Sequence, residues 1–216
     1  FLDGAICQVR PRYIHVLYQY KKALSQKNAV LKELYKNGAA YDLLDVFDES
    51  IAAWGAQIWR TRARYLNKLG QSACAVYEGL SSSREKLEVG YKSFLSLSPD
   101  IPLSQVQGAY REMLRTVRAD DTGAGFSTLG VHRDDFSLQI DGLDAKVYGS
   151  QGQQRSAALS LKLAEGYLLK EVSGETPVML LDDVMSELDQ GRQRYILNHL
   201  EGAQVFRMER GALSPI

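Results

Sequence analysis

Two adjacent aspartates, Asp182 and Asp183, directly follow the apolar run Val178-Met179-Leu180-Leu181. Such a run is typical of a strand buried on both faces, and open α/β sheets bind ligands beyond the carboxyl ends of their strands. Neighbouring carboxylates there are costly unless a cation or a reaction requires them. In a nucleotide site, Asp182 would hold Mg²⁺ and Asp183 would orient or deprotonate the attacking water. The alternative is an Asp-rich turn that caps the next helix.

A second motif, Tyr148-Gly149-Ser150-Gln151-Gly152-Gln153-Gln154-Arg155, opens a helix predicted to begin near Gln153. A serine hydroxyl, free backbone N–H groups and the positive end of the helix dipole together suit a phosphate. Gly152 would let the backbone approach a ligand with no Cβ in the way. A plain helix cap by Ser150 is the commoner structure, so this motif alone does not establish a phosphate site.

A basic cluster lies on another predicted helix, at Arg60, Arg62, Arg64 and Lys68. If this cluster binds a nucleic acid, its contacts would be to phosphates and would weaken steeply with salt. A solvated helix face is the competing interpretation, because residues spaced two and four apart do not all share one side. Three aromatic residues nearby are predicted to pack within a helical hairpin instead of stacking on bases: Tyr41, Trp54 and Trp59.

The segment His132-Arg133-Asp134-Asp135 also combines residue types that can do chemistry. Two acids beside an arginine favour a structural ion pair over direct catalysis. The residues alone do not assign a role to this segment.

The elements that must position these residues begin with two helices. Apolar residues recur at three- and four-residue steps from Tyr13 to about Leu69, with a polar gap at Lys27 and Asn28. Asn37-Gly38 is a turn signal, so an antiparallel helical hairpin is predicted. A short strand at residues 87–91 and a third helix capped by Ser104 follow.

The chain beyond residues 121–125, which are predicted to be a flexible boundary, has a mixed α/β pattern. Alternation at 136–140 and at 145–147 around Asp141-Gly142 predicts a β-hairpin. The helix from Gln153, the apolar strand and a helix at about 190–200 complete the order.

Bulk composition fits a folded protein, with 216 residues of which 45% are hydrophobic. Lys plus Arg equals Asp plus Glu at 26 each, so net charge does not indicate a nucleic-acid partner. Two distant cysteines and no signal peptide favour a reduced cytoplasmic setting. Scattered histidines argue against zinc, and no apolar run approaches the roughly 20 residues that span a bilayer. Because the chain opens at Phe1 instead of Met, we expect upstream residues to be missing.

Several long stretches, in order, resemble the bacterial RecF family of DNA replication and repair ATPases, which are of the ABC/SMC type. They are FLD, YKKALSQKNAVLK, GVHRDDFSL, YGSQGQQRSAALSLKLAE and VMLLDDVMSELDQGRQRYIL, within residues 1 to about 206. The resemblance implies an α/β fold class: the C-terminal half of an ATPase head plus a helical arm. The arm would occupy residues 1–122, with its coiled-coil hairpin at about 13–69, and the half-head residues 123–216.

The resemblance also implies roles for individual residues. Asp182 would assist Mg²⁺, and Asp183 would take the catalytic carboxylate position. The signature residues would contact the γ-phosphate of ATP held by the opposite subunit of an ATP-dependent homodimer: Ser150, Gln151, Gly152 and Gln153. Ser186 and Asp189, in the D-loop position, would pass the state of one site to the other.

For the whole protein, the family implies ATP-dependent clamping of DNA at single-strand/double-strand junctions, help in recombinase loading, and roles in recombinational repair and the SOS response. Partners of the RecR and RecO type are implied, and no membrane. The chain departs from the pattern by lacking the Walker A loop, so alone it is expected not to hydrolyse ATP. It also has Val131 where the family has proline, and an unfamiliar tail from Arg207.

Two other functions stay open. One is a coiled-coil interaction protein whose head remnant is purely structural. The other is a different SMC-like or ABC ATPase, which the short hairpin and the SQGQQ signature disfavour.

Overall fold

A computed structural model describes residues 1–37, 42–182, 188–199, 205–209 and 212–215. The helices are α1 (Leu2–Val9), α2 (Tyr13–Asn37), α3 (Asp42–Ser81), α4 (Leu103–Thr116), α5 (Arg118–Ala124), α6 (Ala145–Tyr148), α7 (Gln151–Ser173) and α8 (Gln190–His199). The strands are β1 (Leu87–Lys92), β2 (Asp135–Ile140), β3 (Leu143–Asp144), β4 (Met179–Asp182), β5 (Val205–Glu209) and β6 (Ala212–Pro215). They form two sheets, β1-β2-β3 and β4-β5-β6. The predicted α/β class is confirmed.

The chain divides into two compact units, each built from separate stretches of sequence. The first unit comprises Phe1–Tyr65 and Tyr91–Phe136, and the second comprises Leu66–Gly90 and Ser137–Ile216. The predicted domain division between residues 122 and 123 stays a prediction.

Helices α2 and α3 form the predicted antiparallel hairpin in the first unit. Leu31 and Leu34, late in α2, pack with Leu44, early in α3. Farther away, the ring of His15 lies edge-on to that of Trp54, with ring centroids 6.1 Å apart. Late residues of α2 therefore meet early residues of α3. Packing within the hairpin is thus confirmed for Trp54. Trp59 is 1% exposed, and its ring centroid lies 6.5 Å from that of Tyr91 in β1, so its packing within the hairpin stays a prediction. Tyr41 lies outside the described residues.

The polar gap in the α2 stripe is a buried ionic junction. Lys27 is 1% exposed, and its Nζ lies 2.8 Å from Asp121 Oδ2 and 2.9 Å from Asp48 Oδ1. Arg118 Nη2 lies 2.7 Å from the other oxygen of Asp48, and the hydroxyl and backbone N–H of Thr128 donate to Asp121 Oδ1. Asp48 Oδ1 has the ammonium as ion-pair partner but accepts no hydrogen bond from the described residues. These contacts tie α2, α3 and α5 together.

Asp121 also corrects the prediction for residues 121–125. They form the end of α5 and its left-handed cap at Gly125 instead of a flexible boundary. The reason is that Asp121, 0% exposed, is held by Lys27 and by the segment that follows α5.

Two local predictions were wrong for reasons of capping. Ser104 lies inside α4, which begins at Leu103 after Pro102, because the fixed φ of proline suits a helix start. Ala145 and Val147 lie in the short helix α6 instead of a returning strand, since Asp144 accepts hydrogen bonds from the backbone N–H groups of Lys146 and Val147. The Asp141-Gly142 turn is present between β2 and β3, with both residues at positive φ.

The core of the second unit fixes α7, the helix that carries the signature-like motif. Leu159 and Leu163 of α7 pack with Val76 and Leu80 of α3, with Leu188, which precedes α8, and with Ile196 of α8. Strand β4 pairs in parallel with β5, and α8 connects them in sequence. Val178 was predicted in the buried strand but precedes β4 and is 56% exposed, since the strand begins one residue later.

Candidate functional site

The tip of α7 is built by Ser150 and Gln153. Ser150 is the N-cap, and its Oγ accepts a hydrogen bond of 3.2 Å from the backbone N–H of Gln153. The Gln153 side chain in turn accepts a hydrogen bond of 2.8 Å from the backbone N–H of Ser150. This reciprocal capping box fixes the first turn two residues earlier than the predicted start near Gln153.

The same geometry leaves hydrogen-bond donors at the tip. The Ser150 oxygen accepts from the backbone, so its own O–H proton is available to a ligand. The first turn of a helix also leaves backbone N–H groups without intrahelical partners, here those of Gln151 and Gly152. Together with the positive end of the helix dipole, these donors suit an anion such as a phosphate.

Glu85 holds the signature glutamine from the side. The Nε2 group of Gln153 donates a 2.9 Å hydrogen bond to Glu85 Oε1, and the hydroxyl of Tyr77 donates a 2.6 Å bond to Glu85 Oε2. Burial, reinforced by the Glu85 carboxylate, raises the pKa of Tyr77, so it stays a protonated donor. Gln153 therefore retains a single side-chain N–H for any ligand. Sequence reasoning missed Glu85 because it lies 68 residues from Gln153.

Asp189, predicted in the D-loop position, caps α8. Its Oδ1 accepts a 3.0 Å hydrogen bond from the backbone N–H of Arg192, which, with the nearby guanidinium, lowers the pKa of the carboxyl. The Arg192 guanidinium also lies beside the α7 tip, since a Cβ added to Gly152 would be 3.4 Å from Nη1. Arg192 thus brings a cation to the signature helix. The only sequence signal was its place three residues after a capping aspartate.

The Walker B-like acids can be placed only in part. Asp182 is the last residue of β4 and pairs with Met208 of β5, at the carboxyl end of a parallel pair. The side chain of Asp182, and Asp183 and Ser186 altogether, lie outside what the structure describes. Their roles stay predictions.

Each α3 cation predicted to contact DNA has a partner within the chain. Arg60 donates to the carbonyl of Ile101, and Arg64 and Lys68 each approach a carboxylate at 3.4 Å. Arg62 donates two hydrogen bonds to the Asp3 carboxylate, from Nε at 2.8 Å and from Nη2 at 2.7 Å. Burial disfavours the charge of Arg62, but Asp3 outweighs it and raises the pKa. DNA contact by these four residues stays a prediction.

His132 ends a chain of buried hydrogen bonds in the first unit. The backbone N–H of Val131 donates to the Tyr110 hydroxyl at 3.0 Å, and the hydroxyls of Tyr110 and Tyr20 share a hydrogen bond of 3.1 Å. Tyr20 then donates to His132 Nδ1 at 2.8 Å, and His132 Nε2 lies 3.3 Å from the carbonyl of Ser127. A neutral imidazole with its proton on Nε2 satisfies both contacts. The hydrogen-bonded series Val131, Tyr110, Tyr20 and His132 is here called the relay. Burial raises the pKa of Tyr20 to about 12, so this hydroxyl stays protonated.

The neighbours of His132 do not form the expected ion pair. Asp134 accepts hydrogen bonds from the hydroxyls of Tyr91 and Ser93 at 2.6 and 3.0 Å, and burial raises the pKa of its carboxyl. The Arg133 guanidinium lies over the Phe126 ring, 5.6 Å from its centroid. The contacts of both residues are structural, as expected, but Asp134 contacts hydroxyl groups and Arg133 contacts an aromatic ring.

The relay predicts how stability depends on pH. Burial lowers the pKa of His132, so between about 6.5 and that lower value the unfolded chain binds a proton that the folded chain does not. Lowering the pH from 7.5 to 5.5 should therefore destabilise the protein, with a slope of at most about 1.4 kcal/mol per pH unit from this group. His132→Gln should flatten the slope in urea unfolding, whereas His15→Gln, at an exposed histidine, should not. Equal slopes in the two variants would contradict the assignment.

Within the described residues, no group of three or more His, Cys, Asp or Glu side chains is placed to hold a metal ion. Cys7 and Cys74 are free thiols. No helix in the described part of the chain is long and apolar enough to cross a membrane.

Comparison with known proteins confirms the predicted similarity to RecF. The chain is 39% identical over 204 residues to the DNA replication and repair protein RecF of Clostridium acetobutylicum, which is 94% of this chain and 54% of that protein. It is 41% identical over 206 residues to RecF of Caldanaerobacter subterraneus subsp. tengcongensis, covering 95% and 56%. The chain thus spans about half the length of the curated relatives it matches. No protein-family model matches it.

Solved structures give the same result for the fold. The recombination mediator protein RecF with ATP, described in the RecFOR pathway, has a TM-score of 0.85 and 37% identity to this chain. That match covers 100% of this chain and 61% of the solved one. A second RecF structure matches with a TM-score of 0.84 and covers 62% of that chain.

Proposed function

Because the chain is similar to RecF proteins over 94% of its length, we propose that it acts in DNA replication and repair as the signature-bearing part of a RecF-type ATPase. The observation that carries the proposal is the α7 tip. There Ser150, the first-turn N–H groups and the nearby Arg192 supply donors and positive charge to one point.

The ligand of that tip would be the γ-phosphate of ATP bound by a second subunit. This chain has no Walker A loop of its own, so the phosphates must be held mainly by another segment. A capped helix tip adds directional donors and a partial positive charge, without a lysine, and thus suits the far side of a nucleotide already bound elsewhere. ATP would then join two subunits, and hydrolysis would release them.

The remaining roles extend this site. Asp182 would assist Mg²⁺, and Asp183 would activate water at the end of β4. Ser186 and Asp189 would link the two sites of the dimer. Asp189 supports this through its bond to Arg192, which connects the start of α8 with the signature tip.

DNA is the proposed macromolecular ligand, at single-strand/double-strand junctions, with RecR- and RecO-type partners and recombinase loading as the wider role. The relatives' names support repair and replication, and one solved relative is described in the RecFOR pathway. The α3 cations are part of this proposal, but a phosphate would have to compete with their internal partners.

The competing function is an interaction protein with a purely structural head. One observation favours it: both Ser150 and Asp189 already serve as helix caps. A cap needs no ligand, so the two functions differ in what happens when the tip is blocked but still folded.

Ser150→Arg tests this difference in a fusion that places the Walker A-bearing part of a RecF relative ahead of this chain. We expect ATP-dependent dimerisation, followed by light scattering, to be lost because the long side chain occupies the phosphate position. Loss of the cap costs only about 1 kcal/mol, so the fold should persist by circular dichroism.

The matched control is Ser104→Arg, the same change at an exposed serine of α4. It should dimerise with ATP like the parent fusion. ATP-driven dimers of Ser150→Arg at parent level would overturn the proposal and favour the structural head.

A further inference from the structure

Over residues 14–32, one side of α2 is exposed, basic and free of acids, and Glu33 lies just beyond its edge. Between Ile14 and Lys32, the residues that lie within about a 100° arc of the helix, taking 100° per residue, are all exposed. They are Ile14, Tyr18, Lys21, Lys22, Ser25, Ala29 and Lys32, here called the lysine face. Lys21 and Lys32 are eleven residues apart, or about 16 Å along the helix at 1.5 Å per residue.

No described residue forms an ion pair with a lysine of the lysine face. No Asp or Glu occurs between residues 4 and 32. Among the described residues, Lys21, Lys22 and Lys32 have neither an ion pair nor a hydrogen bond from their side chains, in contrast to the paired cations of α3. Lys27, on the opposite side of α2, forms ion pairs with Asp48 and Asp121. An uncompensated row of ammonium groups attracts a polyanion.

Apolar and aromatic groups lie among these lysines. Ile14 is 64% and Tyr18 is 62% exposed, and Tyr18 lies one turn before Lys21 and Lys22. Proteins that bind single-stranded nucleic acids combine aromatic rings with cations, because bases stack on the rings while phosphates contact the charges. Two further exposed cations, Arg10 and Arg12, precede the helix start, where the dipole is also positive.

We infer that the lysine face of α2 binds a single nucleic-acid strand, with Lys21, Lys22 and Lys32 on phosphates and Tyr18 against a base. The inference deepens the DNA-binding part of the proposed function and rests on it, but it does not involve ATP or the α7 tip. It locates DNA contact on α2, where cations are unpaired, in addition to the α3 residues predicted from sequence.

The test measures binding of this chain to a fluorescein-labelled oligothymidylate by anisotropy over a range of salt. The charge reversal Lys21→Glu/Lys22→Glu should weaken binding by roughly tenfold or more, because phosphate contacts are lost and repulsion is added. Replacing Lys21, Lys22 and Lys32 by alanine should reduce the slope of log affinity against log salt by about 2, at roughly 0.7 per contact for a single strand. Tyr18→Ala should weaken binding several-fold and leave that slope unchanged.

The control is Arg84→Glu/Lys170→Glu, which changes net charge equally at exposed cations elsewhere. It should change affinity less than twofold. Equal losses in the two reversals, or no binding of the unmodified chain at low salt, would overturn the inference. So would binding to phosphatidylserine vesicles with none to the oligonucleotide. A negative Ser150→Arg experiment leaves these results intact, so the two failures are distinguishable.

Discussion

Lys27→Met should lower the free energy of unfolding by about 3–5 kcal/mol, as for other buried pairs that lose one partner. Lys27, Asp48 and Asp121 are 1%, 2% and 0% exposed. Removing the ammonium leaves Asp121 with neutral donors only, and leaves one oxygen of Asp48 without its ion-pair partner. The apolar contacts of methionine cannot offset two carboxylates that have lost their shared cation.

Urea unfolding followed by circular dichroism measures this change. Lys32→Met is the matched control, because it makes the same substitution on the exposed side of the same helix, and it should stay within about 0.5 kcal/mol. Adding Asp121→Asn to Lys27→Met should recover part of the loss, since it removes a buried charge at nearly constant shape. Equal destabilisation by the Lys27 and Lys32 changes would refute the ionic junction.

This junction shows how far sequence reasoning reached. The hairpin was predictable because the periodicity of Tyr13 to Leu69 is local and repeated, and the same is true of β1 and α8. The gap at Lys27 was visible, but its meaning depends on Asp121, 94 residues away. Periodicity gives the side of a helix on which a residue lies, and not the partner that makes its burial tolerable.

The candidate site divides in the same way. The α7 tip was predictable, because a serine and a glutamine three residues apart cap a helix through contacts within one turn. Glu85 and Arg192 were missed since they reach the tip from other elements. In α6, alternation of apolar residues predicted a strand, but one cap at Asp144 decided the local structure. Short-range capping can override a short periodic pattern.

Gly55→Ala should destabilise the protein by about 2–4 kcal/mol, although alanine is normally favoured over glycine in a helix by about 1 kcal/mol. A Cβ at Gly55 would lie 2.5 Å from Cε2 and 2.7 Å from Cζ of Tyr110. That ring is 0% exposed and packs edge-on against Phe94, with centroids 4.7 Å apart. It cannot retreat without disturbing its hydroxyl, which holds the backbone of Val131 and the relay to His132. Overpacking and lost buried hydrogen bonds therefore exceed the gain in helix propensity.

The opposite sign is expected for Gly108→Ala in α4, where no atom lies within 4 Å of the added Cβ. That change should stabilise the protein by about 0.5–1 kcal/mol, because only the propensity term applies. Thermal and urea unfolding of both variants compare one substitution in two helices. If Gly55→Ala were as stable as Gly108→Ala, the close approach of α3 to Tyr110 would be wrong. The relay to His132 would then have to be held by contacts other than this ring.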